Sequence, residues 1–120
     1  MFEIIHNIYR NRKTKLRYSH QYNFQNINDF KDYLETEFKT GEYDEKFLSK
    51  GVLKLFKDGS LGARTAELLK DYEDAPGVKG VAALSDEQLQ DLVDLATDHG
   101  IQVAVHAIGD GAIESVINAF

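Results

Sequence analysis

The pattern of apolar and polar positions predicts a short opening helix and then three strands, each followed by a helix. Alternating side chains over residues 16–24 predict the first strand, and the apolar run 52–56 predicts the second. Between these strands, Asn28 is expected to cap a helix that ends at Gly41. The apolar stripes of the first two helices are Phe2, Ile5, Ile8 and Tyr9, and then Phe30, Tyr33, Leu34 and Phe38.

The second half of the chain carries the strongest helix signal. Ser85 and Gln88 have the spacing of a capping box, and Gly100 is placed to end this helix in a left-handed conformation. Residues 101–108 predict the third strand, and Asp110 is expected to cap a last helix. Local signals therefore specify both the start and the end of this helix, which is the longest one predicted.

A long irregular connection, residues 58–83, follows the second strand and contains the only proline of the chain. A loop of this length is typical of functional or mobile segments. Strands that alternate with helices favour parallel pairing through right-handed crossovers. The predicted fold class is therefore α/β, with about three parallel strands alternating with helices in one unit of residues 1–120.

Composition narrows the possible partners. A chain of 120 residues that is 42% hydrophobic can form one domain with its own core. The net charge of -6 argues against nucleic-acid and anionic-membrane partners, because both require a concentrated positive field. The chain has no cysteine, which excludes thiol catalysis and cysteine-ligated zinc, and it has no apolar run of membrane-spanning length. We therefore expect a soluble, cytoplasmic protein.

Two predicted strands end in ionisable residues, within the segments GVLKLFKDGSLGARTA (51–66) and IQVAVHAIGD (101–110). Side chains alternate along a strand, so Lys54 and His106 each lie opposite the aliphatic face of their strand. In a sheet covered by helices on both sides, this second face would also be apolar. A polar second face favours the interior of a barrel, where active sites lie at the carboxyl ends of strands.

These two segments, with Asp71, Tyr72, Pro76 and Gly80 between them, resemble the central part of metal-dependent amidohydrolases. The similar branch includes N-substituted formamide deformylase and YtcJ-like proteins, whose catalytic domains are barrels of eight strands and eight helices. Two motifs in the right order are more specific than either motif alone. The resemblance implies a partial TIM (β/α)8 barrel, in which this chain supplies approximately strands 3 to 5.

The resemblance also implies a metal site. Lys54 matches a lysine that is carboxylated in many amidohydrolases and binds metal as a carbamate, and His106 matches a metal-ligating histidine. The implied cofactor is a divalent metal, with zinc expected, held by the parent enzyme and not stably by this chain alone. The implied reaction is hydrolysis of a non-peptide C–N bond in a small amide or formamide, with a metal-activated water as nucleophile.

Three further residues are candidates for supporting roles. Asp58 is either a catalytic carboxylate or a turn residue before Gly59. Arg64 is a candidate substrate contact in the glycine-containing loop. Asp110 is either a helix cap or a partner that orients His106.

Several family features have no match in this chain, including the paired histidines of the first strand and the aspartate of the eighth. Two protein ligands are too few for a catalytic zinc site. We therefore expect a fragment that is inactive alone, and whose open strand edges promote homo-oligomers. The alternative is a self-contained α/β module that binds a partner or an anion and catalyses nothing.

Overall fold

A computed structural model describes residues 2–44 and 46–120. The helices are α1 (Phe2–Arg10), α2 (Ile27–Tyr33), α3 (Asp86–Asp98) and α4 (Asp110–Ala119). The strands are β1 (Tyr18–Ser19), β2 (Tyr22–Asn23), β3 (Leu48–Ser49), β4 (Leu53–Phe56) and β5 (Val103–His106). A π-helical segment, Leu34–Phe38, continues α2. Strands that alternate with helices confirm the predicted α/β class.

Strand β4 is the centre of a three-stranded parallel sheet with the order β2-β4-β5. In its register with β5, Lys54 lies beside Ala104 and Phe56 lies beside His106. The three strands follow one another across the sheet in chain order, as predicted for consecutive strands of a barrel. No helix within residues 2–44 and 46–120 is long and apolar enough to cross a lipid bilayer.

The predicted first strand is divided into two short strands, so the prediction of one continuous strand over 16–24 was wrong. β1 pairs with β3, whereas β2 pairs with β4. The division occurs at His20, whose carbonyl group would overlap a side-chain carbon placed on Gly51. The chain needs glycine at this close backbone approach. Alternate side chains nevertheless contact one another in series across the division: Tyr18 Oη hydrogen-bonds His20 Nδ1 at 2.6 Å, and the rings of His20 and Tyr22 lie 4.9 Å apart.

The main core lies between β4 and the helices on one side of the sheet. Leu53 and Leu55 are fully buried on this side. The apolar face of α3 is buried against the same core: Leu89, Leu92, Val93 and Ala96. An aromatic cluster extends this core towards α1, with Tyr22 and Tyr33 at its centre. The aliphatic face of β4 therefore packs under helices, and its other face stays open.

The predicted signals of α3 are confirmed at both ends. Ser85 Oγ accepts a hydrogen bond from the Gln88 backbone N–H, and the Gln88 side chain accepts one from the Ser85 N–H. Such a cap stabilises a helix by about 1 kcal/mol. Gly100 adopts φ +65°, the left-handed conformation that favours glycine after a helix.

The residues that cap α2 and α4 differ from the predicted ones. Asn26, and not Asn28, caps α2, and its side chain accepts the Asn28 backbone N–H at 2.8 Å. Gly109 is the N-cap of α4, and Asp110 is the first helical residue. The Asp110 carboxylate accepts the backbone N–H of Leu69 at 2.9 Å, which ties the long loop to α4.

Candidate functional site

Lys54 and His106 lie on the same, open face of the sheet, on neighbouring strands. Phe56 lies between them: its ring centroid is 4.9 Å from Lys54 Nζ and 5.4 Å from the ring centroid of His106. Both side chains are half-buried. The alternation in the sequence predicted this shared face, and the parallel register of β4 and β5 brings the two residues together.

The ring of His106 has a defined orientation. Its Nε2 lies 2.8 Å from the carbonyl oxygen of Gly59. A carbonyl oxygen can only accept, so Nε2 carries the proton and Nδ1 carries the lone pair of the neutral ring. Metal-binding histidines commonly donate their second ring N–H to a carbonyl or carboxylate in this way. In this orientation, His106 could serve as a metal ligand through Nδ1.

Asp58 is buried at the end of β4, where its carboxylate accepts three backbone N–H groups. These donors are Glu67 at 2.9 Å, Ile108 at 3.0 Å and Gly109 at 2.7 Å. Asp58 Oδ1 is also 3.8 Å from His106 Nε2, too far for a hydrogen bond. Both oxygens are thus engaged with the backbone, and the catalytic role of Asp58 stays a prediction.

Arg64 is engaged in a surface ion pair. Its Nε and Nη2 donate to the two carboxylate oxygens of Asp74 at 3.1 and 2.6 Å. The hydrogen bond from Arg64 lowers the pKa of Asp74 below its ordinary value. A substrate contact by Arg64, which also stays a prediction, would have to replace or share this pair.

Asp110 lies in a different hydrogen-bond network from His106. Its carboxylate accepts the backbone N–H groups of Leu69 and Gly111, at 2.9 and 3.0 Å. The hydrogen-bond partner of the His106 ring is the Gly59 carbonyl. The structure therefore does not bring Asp110 and His106 into the predicted hydrogen bond.

Lys57, which was not among the residues predicted from the sequence, is 1% exposed. Its Nζ donates to the Leu84 carbonyl at 2.9 Å and forms ion pairs with Glu67 at 2.8 Å and Asp86 at 3.1 Å. Burial opposes the charged form, but the attraction of the two neighbouring acids, Glu67 and then Asp86, outweighs it and raises the pKa of Lys57. The signal was present, because alternation places residue 57 on the helix-facing side with residues 53 and 55.

A complete metal site is not formed within the part of the chain that the structure describes. No group of three or more His, Cys, Asp or Glu side chains in residues 2–44 and 46–120 is arranged to hold a metal ion. A catalytic zinc site needs three protein ligands. A site built on Lys54 and His106 therefore needs at least one more ligand, which these residues do not supply.

The sequence of this chain is similar to those of known amidohydrolases. Residues 2–120 match the profile of the amidohydrolase family. The Bacillus subtilis (strain 168) protein YtcJ, whose name classes it as an amidohydrolase, is 51% identical over 69 residues, which are 58% of this chain and 13% of YtcJ. The Arabidopsis thaliana protein LONG AFTER FAR-RED 3 is 33% identical over 87 residues, 72% of this chain and 15% of that protein.

Solved structures agree with the sequence match. An uncharacterized metal-dependent hydrolase from Pyrococcus furiosus superposes with a TM-score of 0.81 at 32% identity, and the match covers 98% of this chain and 24% of that one. A second such hydrolase, from Pyrococcus horikoshii OT3, gives the same TM-score and identity. The chain thus spans less than a quarter of the length of each of these relatives. On the match over residues 2–120, the chain belongs to the amidohydrolase family.

Proposed function

We propose that this chain is part of the catalytic barrel of a metal-dependent hydrolase that cleaves a non-peptide C–N bond in a small amide-type substrate. Family membership and the likeness to two metal-dependent hydrolases support the reaction class. The observation that carries the proposal is the placement of Lys54 and His106 on one face, with the Nε2 proton of His106 engaged by Gly59. Two potential ligands thus face the same space from adjacent strands.

Each of these residues has a distinct part in holding the metal. The ammonium group of Lys54 repels cations, but carboxylation of its amine replaces it with an anionic oxygen ligand. The Gly59 carbonyl keeps the His106 proton on Nε2, so that Nδ1 offers its lone pair. A bound divalent metal, with zinc as the first candidate, would lower the pKa of a coordinated water and polarise the substrate carbonyl.

The same geometry predicts that the 120-residue chain has no hydrolase activity by itself. The two proposed ligands, Lys54 and His106, are fewer than the three protein ligands that a catalytic zinc site needs, and no group of three or more His, Cys, Asp or Glu side chains among the described residues is arranged to hold a metal ion. Purified chain with added zinc should therefore leave simple amides and formamides intact. Metal-dependent turnover by this chain would contradict this part of the proposal.

The ligand assignment can be tested by metal analysis of the product of the natural reading frame. Wild-type protein should contain a divalent metal by elemental mass spectrometry, and Lys54→Ala and His106→Ala should each lose most of it. Lys50→Ala is the control, because Lys50 is exposed and its Nζ lies over the Phe38 ring, 4.0 Å from its centroid. Intact-mass measurement under native conditions should also show one added carbon dioxide, which is lost in Lys54→Ala. Unchanged metal content in both ligand variants would refute the proposal and favour a non-catalytic module.

A further inference from the structure

We infer that Asp58 is a positioning residue, which sets the orientation of His106 by holding the loop that hydrogen-bonds its ring and the turn that follows it in sequence. Asp58 is the second residue after β4, and its side chain is 0% exposed. A buried carboxylate is costly unless its oxygens are hydrogen-bonded. The three N–H groups that satisfy Asp58 belong to the two segments in contact with His106 or adjacent to it in sequence.

The first segment is the turn that follows His106. Asp58 Oδ1 accepts the N–H of Ile108 at 3.0 Å, and Oδ2 accepts that of Gly109 at 2.7 Å. These bonds fix the backbone two and three residues after His106, at the point where β5 passes into α4. The turn is also packed tightly, because a side-chain carbon on Gly109 would overlap the Glu67 carbonyl.

The second segment is the loop that supplies the acceptor for the ring. Gly59 follows Asp58, and its carbonyl accepts the Nε2–H of His106. Asp58 Oδ2 accepts the Glu67 N–H at 2.9 Å, and the Gly59 N–H donates to the Thr65 carbonyl at 3.1 Å. These two hydrogen bonds close the loop next to Gly59 and hold the Gly59 carbonyl in the direction of the His106 ring.

Together these contacts define one tautomer of His106. A neutral imidazole carries its proton on either nitrogen, and the hydrogen bond to Gly59 favours Nε2–H. Losing one hydrogen bond between neutral groups changes such a ratio by about fivefold. The substitution Asp58→Asn would keep the size of the side chain but would turn an N–H₂ group towards one of the three backbone donors. The loop and the turn should then separate, and the hydrogen bond between the Gly59 carbonyl and His106 Nε2 should weaken.

The role of this tautomer in presenting Nδ1 to a metal rests on the proposed function, but the tautomer itself does not. The two can therefore fail separately. The tautomer is measured in metal-free protein, whereas the ligand assignment is measured by metal content. A correct tautomer in a protein that binds no metal would leave the positioning role intact and would refute the ligand role.

The test is nitrogen-15 NMR of the histidine side chains at alkaline pH, where imidazoles are neutral. The chain has four histidines, and His106→Ala identifies the signals of His106. In the wild type, His106 should be mainly the Nε2–H tautomer. In Asp58→Asn, the ratio of Nε2–H to Nδ1–H should fall about fivefold while circular dichroism still shows a folded protein. Asp74→Asn is the matched control, since its exposed carboxylate pairs with Arg64 and should leave the ratio unchanged.

Two results would overturn the inference: a wild-type His106 that is mainly the Nδ1–H tautomer, or an Asp58→Asn variant with the wild-type ratio. If Asp58→Asn does not fold, Asp58→Glu replaces it, because it keeps the carboxylate and displaces it by one methylene. The same fall in the ratio is then expected, and an unchanged ratio in that variant overturns the inference equally.

Discussion

Replacement of Lys57 with methionine should destabilise the protein substantially, although it changes little of the packing. Lys57 is buried between β4 and the start of α3, and its Nζ binds the Leu84 carbonyl, Glu67 and Asp86. Methionine preserves a long, unbranched apolar side chain. The variant therefore isolates the charge and its hydrogen bonds from the apolar stem.

The size of the effect follows from what each partner loses. The carbonyl of Leu84, a residue that is 2% exposed, loses its Lys57 donor, at a cost of about 1–3 kcal/mol. The Glu67 side chain is 28% exposed, although its Oε2, the atom that faces Lys57, is buried, while the Asp86 side chain is 77% exposed and loses little. Breaking a fully buried ion pair costs about 3–5 kcal/mol, and the partial exposure of both acids lowers this value. We expect a loss of about 2–3 kcal/mol in the free energy of unfolding.

Urea unfolding followed by circular dichroism measures this change. The midpoint for Lys57→Met should fall while the m-value stays constant. Lys39→Met is the control, because Lys39 forms an exposed pair with Glu35 one helical turn away, and such pairs contribute about 0.3–0.5 kcal/mol. If the two variants lost the same small amount, the buried network would not stabilise the fold as argued.

The pH dependence of the same difference gives an independent check. The raised pKa of Lys57 means that its contribution is complete below the unfolded value of 10.5 and is lost as pH rises through the higher folded pKa. Hydrogen bonds from Ser115 and then Lys57 lower the pKa of Asp86, so its contribution is present above 3.8 and is lost as pH falls through the lower folded pKa. The stability difference between wild type and Lys57→Met should therefore be flat at neutral pH and shrink only beyond these two limits.

Other predictions address the tyrosines, the long loop and association. In urea unfolding, Tyr72→Phe should lower the free energy of unfolding by about 1–2 kcal/mol, because it removes the hydroxyl that donates to the buried Ala66 carbonyl at 2.9 Å. Tyr33→Phe should leave the free energy of unfolding unchanged or raise it, because the buried Tyr33 hydroxyl has no partner among the described residues. Gly80→Ala should cost about 1–3 kcal/mol, since Gly80 has φ +92° and abuts the Ala66 carbonyl, whereas Gly62→Ala meets no atom within 4 Å and should be neutral. Equal stabilities within either pair would contradict the assigned contacts. The chain alone should form dimers or larger assemblies through its strand edges, and a monomer at all concentrations in sedimentation would argue against this.

The parts of the fold that the sequence predicted are those with local signals. The capping box of Ser85 and Gln88 lies within one helical turn, so neighbouring residues specify the start of α3. The shared face of Lys54 and His106 followed from alternation within each strand and from parallel pairing. The alternation is local to each strand, and the parallel pairing followed from the order of strands and helices along the chain.

The parts that were missed depend on residues far apart in the chain. The first strand divides because His20 meets Gly51, about 30 residues later, and no pattern within 16–24 indicates this. The carboxylate of Asp58 is bound by Gly109, about 50 residues later, although its sequence context is that of a turn. Lys57 is different, because alternation did place it on the buried face and a lysine there is simply unusual.

The central position of β4 has a consequence for how the chain folds during synthesis. β4 pairs with residues about 30 positions before it and about 50 positions after it, so neither of its ladders is local. Pairings of this kind form slowly, because the chain loses the entropy of loop closure before the distant segments make stabilising contacts. Until β5 emerges from the ribosome, the edge of β4 that β5 will cover is free to pair with other chains. The time needed to add the roughly 50 residues that separate β4 from β5 therefore sets how long this edge stays exposed.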